Sequence, residues 1–93
     1  MTGPMESDKT IIIWDSHPGR IAETEKNLRL AMRETQTQYA VVIMSELPLI
    51  ARKGLQGKLP SLETGGHIWT WKAGRPVPQD AAVQLLSYLK AHG

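Results

Sequence analysis

Two short runs of β-branched and apolar residues constrain this chain more than any other feature. They are Thr10–Trp14 (TIIIW) and residues 39–44 (YAVVIM), and they stand on either side of one helix-patterned stretch. A strand, a crossover helix and a second strand at this spacing are expected to form a parallel pair with a right-handed crossover. Both runs are apolar at successive positions rather than alternating. That pattern predicts two buried strands in a sheet covered on both faces.

The intervening helix is expected over residues 20–35. Ile21, Thr24, Leu28, Ala31 and Met32 fall on one stripe, and Glu25 and Arg29 form an i,i+4 pair on another face. Lys26, Asn27 and Arg33 are expected in solvent. The turn before this helix holds Asp15, Ser16, His17, Pro18 and Gly19, where proline and glycine punctuate the chain. Residues 45–53 read as a short second helix, with Pro48 in its first turn and Gly54 at its C-terminal cap. Residues 61–64 and 67–72 flank Gly65-Gly66, a hairpin signal because both central positions of a type I′ turn need positive φ. Pro78 is expected at the first position of a last helix, whose core stripe is Ala82, Leu85, Leu86 and Leu89. The result is an α/β domain of order β-α-β-α-β-β-α, a three-layer sandwich around a mixed four-stranded sheet. It is expected to occupy residues 9–93, after a disordered segment over residues 1–8.

That order, with Pro60 directly before the third strand, resembles the thioredoxin fold. The closer resemblance is to small thioredoxin- and glutaredoxin-like proteins of the redox-active-disulfide type. It is carried by residues 50–55 (IARKGL), 59–62 (LPSL) and 66–68 (GHI), by Gly74, and by Pro78 at the last helix. TIIIW, the helix with Glu25, Asn27 and Leu28, and YAVVIM match more loosely. The match spans residues 10–91. It implies a cis Leu59–Pro60 bond. It also implies a surface beside that proline, facing the 15–20 loop, that receives an extended peptide by strand addition.

The family keeps a Cys-x-x-Cys between the first strand and first helix, and this chain contains no cysteine. Disulfides, zinc–thiolate sites, iron–sulfur clusters and thiol nucleophiles are therefore excluded. The slot holds Ser16-His17-Pro18-Gly19 or, in a shifted register, Pro18-Gly19-Arg20-Ile21; neither contains sulfur, and a serine hydroxyl is too weakly acidic for thiol–disulfide exchange. Ser16 beside His17 suggests a hydrolase, with Asp15 orienting the imidazole. Adjacent residues rarely achieve that geometry, however, and no G-x-S-x-G elbow is present. His17, His67 and His92 lie on separate elements, so neither a metal nor a cofactor is expected.

The candidate binding residues are Asp15, Ser16, His17, Pro18, Arg20, Leu59 and Pro60, with Trp69 and Trp71 as a second group. Arg20, near the start of the first helix, is placed to hold a carboxylate alongside backbone N–H groups. Trp69 and Trp71 alternate with Ile68 and Thr70. They either pack under a helix or form an aromatic patch for a partner.

The leading expectation is a redox-inactive, non-catalytic module that binds a protein or peptide. The alternatives are a glutathione-like small-ligand binder or non-thiol enzyme on the same fold, and a homodimer formed through the last strand. A net charge of +2 gives no case for nucleic acid. Residues 1–50 hold five basic and seven acidic side chains, and residues 51–93 hold six and two, so the second half is the more basic. No run reaches a membrane span, and no secretory pattern opens the chain. A cytoplasmic location is expected.

Overall fold

The computed structural model describes residues 9–92, so the expectation for residues 1–8 lies outside the described residues. The chain forms β1 (Thr10–Trp14), α1 (Pro18–Thr35), β2 (Ala40–Met44), α2 (Leu47–Arg52), β3 (Ser61–Thr64), β4 (His67–Thr70) and α3 (Gln79–His92). The four strands make one mixed sheet in the order β2-β1-β3-β4. β1 pairs parallel with β2 and antiparallel with β3, and β4 returns antiparallel along β3. Gly65 and Gly66 carry the hairpin at φ 58° and 82°, values that a side chain would resist. The Leu59–Pro60 bond is cis.

β1 supplies side chains to two cores because successive residues point to opposite faces. Ile11 and Ile13 enter the larger core with Leu28, Ala31 and Met32 of α1, Leu62 of β3, and Ala81, Ala82 and Leu86 of α3. Trp14 enters a smaller one with Ile50 of α2 and Leu55, flanked by Ile12, Met44, Leu49 and Leu59. Helices therefore cover both faces, α1 and α3 on one and the short α2 on the other.

Four expectations need correction. β2 is not a buried strand: it is an edge strand, and Val42 and Ile43 remain 42% and 41% exposed. An apolar run identifies a strand but not its place in the sheet, which depends on the non-local pairing of β3 with β1. Asn27 is not a solvated helix residue, because its Nδ2 donates to the Val77 carbonyl at 2.9 Å. β4 ends at Thr70, so Trp71 lies just past the strand. Pro78 precedes α3 rather than opening it, and its carbonyl accepts the first bond of the helix, from Ala82 N–H at 3.1 Å.

Val77 is held at both of its backbone polar groups. Thr24 Oγ1 accepts from Val77 N–H at 3.1 Å, while Asn27 takes the carbonyl. Thr24 and Asn27 are one turn apart, so a single face of α1 clamps the segment leading into α3. Both Val77 and Thr24 are buried. A buried N–H without a partner carries its full desolvation cost. Thr24→Val keeps the side-chain shape but removes the acceptor. It is expected to lower stability by about 1–3 kcal/mol in urea denaturation, with the slope of the transition unchanged.

Candidate functional site

The site begins where β1 gives way to α1. Asp15 has no solvent exposure, although it is an acidic residue at a strand end. Arg20 satisfies it as a fork: Nε donates to Oδ2 at 2.8 Å and Nη2 donates to Oδ1 at 2.7 Å. The backbone N–H groups of Ser16 and His17 also donate to Oδ1, at 2.7 and 3.3 Å. A two-pronged guanidinium with added N–H donors is the arrangement that makes a buried carboxylate tolerable. The Arg20 guanidinium is pushed above its ordinary pKa, mainly by its hydrogen bonding to Asp15. Desolvation opposes the rise and the Asp15 charge adds to it. A basic group whose pKa is raised on folding stabilises below its unfolded value and loses that contribution only as pH rises through its folded value. Arg20 therefore contributes throughout the working pH range and up into strong alkali.

His17 is the N-cap of α1, with extended backbone angles and Nδ1 accepting from Arg20 N–H at 3.1 Å. Pro18 follows at the first helical position. Gly19 lets the imidazole fold back over the helix start: a Cβ there would stand 3.3 Å from His17 Cε1. Asp15 thus spends its oxygens on Arg20 and the backbone, and His17 spends Nδ1 on a backbone N–H. The two side chains build a joint between strand and helix, not a relay ending on Ser16. The carboxylate that Arg20 holds is the chain's own.

The sheet register brings Leu59-Pro60 to the same place. Ser61 lies opposite Trp14 on one side and Thr70 on the other. Pro60 therefore continues the row between Asp15 and Trp71. Pro60 is buried, and Leu59 is half-buried. The Leu59 carbonyl accepts from Gly74 N–H at 2.8 Å, so part of its backbone pairing is already made within the chain. Ser16, His17 and Pro18 are exposed around this row.

Trp69 stands apart from that cluster. Its ring centroid lies 5.9 Å from that of Trp71, tilted by 30°, and both indoles are half-buried against the larger core. They are therefore neither fully core nor a free patch. Trp69 lines a groove of about 680 Å³ between β3, β4 and α3, together with Leu62, Leu85, Tyr88, Leu89 and His92. Sequence reasoning gave Tyr88 and His92 no part in a surface. The available signal was their i,i+4 spacing beside the core stripe, and their rings indeed lie 4.2 Å apart. On the opposite sheet face, Glu63 accepts from Trp14 Nε1 at 2.9 Å and from Lys53 Nζ at 3.2 Å.

Among the described residues, no group of three or more His, Cys, Asp or Glu is placed to hold a metal, and no helix is long and apolar enough to cross a membrane. Comparison with known proteins finds no matching family model, no matching curated protein and no matching solved structure.

The cap can be tested apart from the ion pair. His17→Ala is expected to lower stability by about 1 kcal/mol, and His17→Asn, which restores an acceptor, to recover most of it in thermal and urea unfolding.

Proposed function

We propose that this chain is a thioredoxin-like domain without redox chemistry, and that it works by binding a protein or peptide. The observation that carries this reading is the strand order β2-β1-β3-β4, with the 15–20 loop and Leu59-Pro60 side by side at the same end of the central pair. In the thiol-disulfide families that this sequence resembles, the same junction holds the reactive thiols. Here it holds an ion pair and a helix cap, so the surface is available for recognition while the reaction is missing. The proposed contact residues are Ser16, His17, Pro18 and Leu59, with Trp71 at the far end of the row. Asp15, Arg20 and Pro60 hold that row in place.

Side chains carry more of this recognition than strand addition does, because Gly74 already engages the Leu59 carbonyl. An extended segment with an apolar residue fits best: it sets that residue against Leu59, at the edge of the smaller core, and offers polar groups to Ser16 and His17.

The test is titration of the ¹⁵N-labelled chain with a library of extended peptides, read by amide shifts. Shifts are expected at residues 15–20, 59–60 and 71, and Leu59→Asp is expected to weaken the best peptide by about tenfold or more. Shifts confined to other parts of the chain would count against this surface.

A further inference from the structure

A second surface, away from the 15–20 loop, points to a different partner. Among the described residues β4 is an edge strand, bonded only to β3. Its sequence, HIWT, carries none of the usual protections of an exposed edge: no proline, no lysine and no carboxylate. In a two-residue hairpin the residues flanking the turn bond to each other, so Thr64 pairs with His67 and alternation turns the Ile68 and Thr70 backbone groups outward. The groove beside β4 is lined by both Ile68 and Trp69, whose side chains leave opposite faces of the strand. The groove therefore takes in the edge itself.

α3 completes the surface with a ridge at i,i+4 spacing: Asp80, Gln84, Tyr88 and His92. All four residues are exposed, and Tyr88 is 60% exposed. The helix has Asp80 in its first turn and Lys90 and His92 in its last. Such a ridge complements its own copy when reversed. Antiparallel packing sets Asp80 against His92 of the second copy and Gln84 against Tyr88, and it opposes the two helix dipoles.

We propose that the partner at this edge is a second copy of the chain. Two β4 strands would pair antiparallel about a twofold axis near Trp69, with Ile68 facing Thr70 of the other copy. The two α3 ridges would pack across the same axis, closing both apolar grooves. A twofold, isologous contact requires this kind of self-complementary surface. The charge pattern along α3 favours a copy over an unrelated protein. β2, the other edge among the described residues, is also uncharged, and the Val42→Lys control below separates the two edges. This inference does not depend on the peptide-binding reading, since it uses none of residues 15–20, 59 or 60.

The test is sedimentation equilibrium of the whole 93-residue chain across about 5–500 µM, a range that brackets a micromolar dimer. The mass is expected to rise from 10.3 kDa toward twice that value. Ile68→Lys and Tyr88→Glu, both at exposed side chains, are each expected to raise the dimer Kd by about tenfold or more. Val42→Lys, at the opposite edge, is expected to leave it unchanged. His92→Asp should weaken the dimer, and adding Asp80→Lys to it should restore association. Circular dichroism confirms that each variant is folded, and the two disrupting variants cover each other if one is not. A chain that stays monomeric throughout would overturn the proposal. A dimer that Val42→Lys weakens as much as Ile68→Lys does, or one that the charge swap fails to restore, would also overturn it.

Discussion

A carboxylate with no access to solvent sits at the end of β1, and the rest of the domain is arranged from it. Burying an unpaired charge costs several kcal/mol, so Asp15 requires a partner in a fixed position. Arg20 meets that need only if α1 leaves the strand at one angle, with the His17 cap and Pro18 setting its first turn. That angle in turn places Thr24 and Asn27 over Val77. Val77 fixes where α3 begins, and α1 and α3 together close the larger core over Ile11 and Ile13. A short chain of polar contacts thus orients the helices whose apolar faces supply most of the stability.

Local signals in the sequence were dependable where the cause is local. TIIIW forms the central strand, Gly65-Gly66 forms the hairpin with both glycines at positive φ, and Glu25 and Arg29 pair at 2.8 Å along α1. Gly54, expected at the C-terminal cap of α2, follows the actual cap, Lys53, and turns the chain at φ 77°. The misreadings share a different cause. Whether YAVVIM is central or at an edge depends on where a strand some twenty residues later pairs. The exposure of Asn27 depends on a partner 50 residues away, the Val77 carbonyl. The Asp15–Arg20 pair spans a strand end, a turn and a helix start, so neither helical nor strand spacing reveals it. Of the candidate site, the meeting of the loop with Leu59-Pro60 was legible, whereas Trp71's place beside Pro60 and the groove along α3 were not.

The two surfaces divide the molecule sensibly. One lies at the end of the central strands, where the junction is rigid because its charges are paired and its helix start is capped. The other runs along β4, where backbone groups and an apolar groove remain open. We propose recognition at the first and self-association at the second; because they share no contact residue, both can operate at once. A dimer about β4 would carry two copies of the first surface, and a partner with two matching segments would then gain avidity beyond the affinity of either site.

Asp15 and Arg20 act on each other as a structural joint and are not free groups awaiting a ligand. A double-mutant cycle on stability, with Asp15→Asn, Arg20→Met and both together, tests this most directly. A coupling of about 2 kcal/mol or more is expected, because losing Arg20 strands a carboxylate with no access to solvent, a cost that Asp15→Asn removes. Losses that add to within about 0.5 kcal/mol would mean the two residues act independently, and would contradict it.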